Sequence, residues 1–139
     1  MKKLSLLIAV GSLCLLSIAK PAINISQFET YSQQMQVLSS KYIASKQFVN
    51  ANKTIEVWLN TYNTLSDKDK ANYAPVYATL MYNHACALTQ TNDKFQALKA
   101  LKEAVKAGYS NKTQAETDPN LDALRAYDEF EKIVNAIKS

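Results

Sequence analysis

The chain has 139 residues, 47% of them hydrophobic, with only 2 glycines and 3 prolines, which suits one compact domain and argues against a sheet-rich fold with its many turns. Basic residues number 16 and acidic ones 12; removing Lys2 and Lys3 with the segment described next leaves 14 against 12, a net charge of +2. So mixed a balance carries no electrostatic footprint for nucleic acid, and abundant Ala, Leu, Lys and Gln favour an all-α domain.

Residues 1–19, MKKLSLLIAVGSLCLLSIA, read as a secretory signal peptide. Lys2 and Lys3 precede an apolar run, and Ser17 and Ala19 are the small residues a signal peptidase reads. The alternative is an uncleaved membrane anchor, but the run is shorter than the roughly 20 residues of a spanning helix. Leu13 stands before Cys14 where a lipoprotein signal needs a small residue, which argues against lipidation. The protein is therefore expected to be exported, periplasmic or secreted, with membrane contact only through an uncleaved signal segment. Loss of Cys14 leaves Cys86 without a partner for an internal disulfide, and its apolar neighbours mark a packed thiol.

Residues 20–27 read as a flexible N-terminus, followed by a helical domain over 28–139. Tyr31, Met35, Leu38 and Tyr42 share one helix face. Phe48, Ala51, Ile55, Trp58, Leu59, Tyr62 and Leu65 form a second stripe, and the short turn at 45–47 makes the two antiparallel. Ser66 can cap a short helical turn with Asp67 and Asp69 in its first turn. Pro75 then opens or kinks the next helix, expected over 75–90. A polar turn at 91–93 leads to the stripe Phe95, Ala97, Leu98, Leu101, Ala104, Val105, which Gly108 ends as a C′ glycine. Asp118 and Pro119 are a helix-start pair. Leu121, Leu124, Phe130, Ile133, Val134 and Ile137 supply the apolar face of one or two closing helices, with a break near Tyr127 and Asp128.

Met81, Ala85, Leu88, Ala97, Leu101 and Ala104 carry the spacing of the tetratricopeptide repeat (TPR). In that frame Met35, Leu38, Ser39 and Tyr42 form an earlier helix A, and Ala51, Ile55 and Trp58 its helix B. The chain thus resembles a bacterial exported TPR protein, with repeats near 32–65 and 78–111. The run ACALTQTNDKFQALKALKEAVKAGY followed by DPNLDALR is similar to a terminal repeat with its capping segment, here 112–139. The resemblance implies antiparallel helical hairpins of α-solenoid type, with small residues where helices touch and a cap over the open end. Trp58 stands where a small residue is expected, which implies a wider or rotated junction. Residues 66–77 are an insertion, the repeat-ending prolines are absent, and His84 replaces the usual Leu.

No reactive constellation follows from these residues. His84 and Cys86 sit about 200° apart on one helix and cannot converge. A structural zinc site needs four ligands, and a Cys–His nucleophile pair would need another histidine. No glycine-rich phosphate loop stands in 20–139, so no catalytic, metal or cofactor residue is assigned. Asp128, Glu129 and Glu131 read as a solvated face, as does the Lys99, Lys102, Lys106 strip, and the sequons at Asn24, Asn52 and Asn111 as chance. The resemblance places Thr79, Tyr82, Cys86, Thr89 and Gln90 on the inner face of the second helix A, and Gln33, Gln36 and Ser40 on the first. That polar, uncharged surface is the candidate face for a peptide or protein partner. The expected function is a non-enzymatic interaction module; the alternative is an accessory domain or subunit of an exported hydrolase or other envelope enzyme. Self-association through the exposed repeat face is a further expectation.

Overall fold

The computed structural model describes residues 24–138, and every regular element among them is helical. The signal-peptide reading of 1–19, and residues 20–23, lie outside the described residues. Helix α1 (Ile25–Ala44) starts earlier than expected. Asn24 accepts a hydrogen bond from the Ser26 amide at 3.1 Å, which satisfies an orphan N–H of the first turn. Residues 25–27 are therefore helical, a correction to the flexible reading of that stretch.

Two hairpins follow, α1 with α2 (Phe48–Tyr62) and α4 (Ala74–Gln90) with α5 (Lys94–Lys106). Their turns have the same construction. In the first, Lys46 N–H donates to Ile43 O at 3.0 Å and Gln47 N–H to Tyr42 O at 2.8 Å. In the second, Asn92 N–H donates to Thr89 O at 3.1 Å and Asp93 N–H to Leu88 O at 2.9 Å. Lys46 and Asn92 take the left-handed conformation this closure needs, with φ of 58° and 68°. Gln47 and Asp93 then cap α2 and α5, and Asp93 accepts from the Gln96 amide at 3.2 Å. Each turn closes one helix while opening the next, so the pair must run antiparallel. Gly108, with φ of 101°, ends α5 in the same way, as its position predicted.

Between the hairpins lies α3 (Asp67–Asn72). Ser66 Oγ accepts from the Asp69 amide at 3.2 Å and donates to its carboxylate at 2.7 Å. Pro75 sits in the first turn of α4, where a missing N–H leaves no bond unmade.

Helix α4 is the centre of the molecule and packs against α1, α2, α3 and α5. It buries residues on several faces, including Ala78, Leu80, Met81, Ala85 and Ala87, as a helix enclosed by others does. Ser39, Ala51, Ala85, Ala97 and Ala104 are each fully buried; at these sites extra volume would force close-packed neighbours apart. Trp58 is fully buried as well. Its ring stacks on Phe28 at 5.8 Å and Tyr62 at 4.8 Å. Its Nε1–H donates to Ser32 Oγ at 2.8 Å, and that hydroxyl donates to Phe28 O at 2.6 Å. The small Ser32 on α1 leaves room for the indole from α2.

The tail departs from expectation. It holds α6 (Lys112–Thr117), which was not expected, ahead of the two closing helices, a 3₁₀ helix (Pro119–Leu124) and α7 (Asp128–Asn135), which part near Tyr127 as expected. Asn111 and Gln114 bond reciprocally to open α6, with Asn111 Oδ1 accepting from the Gln114 amide at 3.0 Å. The 3₁₀ helix lies against α4 and α5, and α7 against α5 and α6. Among the described residues no helix is long and apolar enough to cross a membrane.

Candidate functional site

The expected inner face is split in two. On α1, Gln33 and Ser40 are exposed and Gln36 is half-buried. Asn83 Nδ2 reaches across from α4 and donates to Ser39 Oγ and Ser40 Oγ, each at 3.1 Å, tying the two helices together. On α4, Thr79 is half-buried and its hydroxyl donates to Pro75 O at 3.1 Å. Further along α4 the face is closed. Tyr82 is 3% and Thr89 4% exposed, and Thr89 donates to Ala85 O at 2.7 Å. Gln90 is exposed but donates to Asn120 O at 3.0 Å. The chain's own tail meets Tyr82 and Cys86 through Asp118, and Thr89 is buried as well, which corrects the expectation that they form an open surface.

Asp118 holds that cover in place. Its Oδ1 accepts from the amide and side chain of Asn120, both at 2.9 Å, as the cap of the 3₁₀ helix. Its Oδ2 accepts from Tyr82 O–H at 2.8 Å and from the Cys86 thiol at 3.6 Å. Tyr82 stacks flat on Tyr109, with centroids 4.3 Å apart and planes 7° from parallel. Burial, followed by the Cys86 and Tyr109 groups and Asp118, pushes the Tyr82 phenol far above its ordinary pKa. Burial and then the Asp118 carboxylate likewise raise the Cys86 thiol, and burial raises Tyr109 to about 12. Tyr82 and Cys86 are therefore held as proton donors to one carboxylate, an arrangement for docking and not for nucleophilic attack. Arg125 completes the clamp by donating to Glu116 O, to Asp118 O at 2.9 Å and to Asp122 Oδ1 at 3.0 Å. Leu121 and Leu124 are fully buried beneath it. In the run DPNLDALR, sequence reasoning identifies Asp118 as a cap and misses its second role.

What stays open lies toward the start of α1 and α4. A cleft of about 310 Å³ is lined there by Glu29, Gln33, Asn72, Tyr73 and Val76. One helical turn beyond Gln33 on α1, Val37 is 69% exposed.

His84 and Cys86 do not converge. Cys86 faces the tail, while His84 lines a separate groove of about 500 Å³ with residues of α2, α4 and α5. Both His84 ring nitrogens are shut off from solvent and have no hydrogen-bond partner. Burial lowers its pKa to about 4, with Asp93 pulling the other way. Among the described residues no group of His, Cys, Asp and Glu is arranged to hold a metal ion.

No protein-family model and no solved structure matches the chain. Part of it is 35% identical to a chloroplastic protein of Arabidopsis thaliana, a match covering 42% of this chain and 21% of that protein. The chain thus spans about a fifth of the length of this curated relative.

Proposed function

We propose that the protein is an exported, non-enzymatic interaction module of TPR type, which binds a peptide or protein along α1 and the first half of α4. The observation that carries this reading is the repetition between the hairpins. Lys46 and Asn92 occupy equivalent turn positions. Ser39 and Ala85, Ala51 and Ala97, and Ile55 and Leu101 fall at that same spacing, all fully buried. Each hairpin also meets the element after it alike: α4 packs on both helices of the first hairpin, and the 3₁₀ helix on both helices of the second, which suits stacked repeats. That layering leaves the outer surface of α1 as the end of the stack without a cap among the described residues. A partial match to a longer protein suits a module.

The uncharged surface of Gln33, Gln36 and Ser40 offers hydrogen bonds without a charge clamp, and a rigid helix pair lowers the ordering cost of binding. The test is a photoreactive residue placed at Gln33 in the producing cell, with one at Lys132 as control. A discrete adduct from Gln33 alone is the expected result. Absence of any adduct, or equal labelling from both sites, would refute the proposed face.

A further inference from the structure

A cleft of about 310 Å³ runs between α5 and α7, on another side of α5 from the His84 groove. Val105, Ile133 and Ala136 make its floor, and Lys102, Lys106 and Lys132 stand around it with one carboxylate, Glu129. A further cleft of about 210 Å³ shares Val105, Lys106 and Ala136 and adds Lys138. The two form one trough with an apolar floor and four lysines along it. Asp128 and Glu131, the other carboxylates of α7, line neither cleft. Glu129 is held by Lys102 and Glu103 by Lys106, each at 3.2 Å. Lys132 and Lys99 have no ion-pair partner among the described residues.

The basic surface continues along α5. Phe95, Lys99, Lys102 and Lys106 follow at intervals of four, three and four, so they share one face of the helix over about 16 Å. Phe95 heads that row and is 76% exposed, more than any other large hydrophobic side chain described. An aromatic ring projecting from a row of lysines marks a contact that is apolar and anionic at once. The lysine stems add apolar cover while their ammonium groups reach outward. A hydrocarbon ligand would answer the trough floor and leave the lysines unmet. An acidic helix seated in the trough would leave Phe95 bare, about 10 Å along α5 from Lys102. An anionic bilayer covers the ring and the trough together, because its phosphates lie spread over a plane with apolar chains beneath them.

We propose that the surface formed by α5 and α7 rests on a bilayer of anionic phospholipid. Phe95 enters at headgroup depth, Lys99, Lys102, Lys106 and Lys132 meet lipid phosphates, and the trough floor lies against the headgroup boundary. This contact belongs to the folded domain and differs from any that residues 1–19 make as a leader. It is also independent of the α1 face proposed above.

The test is co-sedimentation of soluble protein, purified from the producing cell, with vesicles of two compositions at low salt. One is equal parts phosphatidylglycerol and phosphatidylcholine, and the other is phosphatidylcholine alone. Binding to the anionic vesicles only, released by about 0.5 M salt, is the expected result. Lys132→Glu should weaken it about tenfold and Phe95→Ser severalfold, while Gln33→Ala on α1 should leave it unchanged. All three side chains are exposed, so the fold is retained, and the variants share residues 1–23, so any contribution from that stretch is common to them. Binding to neither vesicle, equal binding to both, or indifference to both Lys132→Glu and Phe95→Ser would overturn the proposal. Retention on immobilised polyglutamate without binding to vesicles would assign the surface to an acidic protein and overturn it equally; none of these outcomes touches the α1 reading.

Discussion

Replacing His84 by Leu tests the groove floor as a determinant of stability. Near pH 7 the substitution removes two buried, unmatched ring nitrogens and adds apolar surface, a gain of about 1–2 kcal/mol. Acid then widens the difference. The unfolded chain takes up a proton on His84 with the ordinary pKa of 6.5, whereas the native ring resists it until about 4. Over that window the unfolded state binds more protons, so the native state is fully favoured above 6.5 and loses ground as pH falls toward 4. On that displacement the wild type loses on the order of 1 kcal/mol by pH 5.5 and about 2–3 kcal/mol by pH 4.5 through this residue alone. The charged residues that line the groove, Glu56, Asp93, Lys99 and Glu103, are common to both proteins, so the difference between them isolates His84. Urea unfolding followed by fluorescence of the single tryptophan, Trp58, measures it at about pH 7, 5.5 and 4.5. A stability gap that stays constant across these conditions would refute a buried neutral histidine.

Other substitutions report on the tail and the turns. Tyr82→Phe removes the donor to Asp118 and should cost about 1.5–3 kcal/mol, the range for hydrogen bonds to charged groups; hydrogen exchange should accelerate over 118–124 before it does in α1. At Gly108 an added Cβ meets nothing within 4 Å, but φ is 101°, so Gly108→Ala should cost about 1–2 kcal/mol through backbone strain alone. Lys46→Gly should do the reverse and stabilise by up to about 1 kcal/mol, because Lys46 holds a φ of 58°; thermal melts decide the sign of each. Cys86, 1% exposed with a raised pKa, should resist thiol reagents in the native protein and react after unfolding, and rapid native labelling would contradict its burial.

Local order is legible where the signal is local. The stripes at 31–42, 48–65 and 95–105, the polar turns and Gly108 locate the hairpins because helical spacing and left-handed closures are properties of a few consecutive residues. Helix α6 escapes because Asn111 reads as a chance sequon, although Asn111 with Gln114 is a capping pair available in the sequence. Asn24 escapes as a cap for the same reason. The inner face is misread for a different one. Spacing shows that Tyr82, Cys86 and Thr89 share a side of α4, but not what lies over it. The cover comes from Asp118, 36 residues beyond Tyr82, and only tertiary packing brings the two together. Trp58 is similar: its bulk is visible in the sequence, while Ser32, the residue that makes space for it, becomes meaningful only once the helices are stacked.

The position of α4 also governs how the molecule comes apart. It gives Leu80 to one buried cluster and Met81, Ala85 and Cys86 to the other, while Tyr77 and Leu59 pack against both. Long repeat arrays melt as semi-independent segments joined at nearest-neighbour interfaces. In this protein the second hairpin's first helix is also the inner wall of the first hairpin's core. The first hairpin's interior cannot stay closed without α4, whereas the other cluster draws its buried members from α4, α5 and the tail, so the first hairpin should open before or together with the rest and never after it.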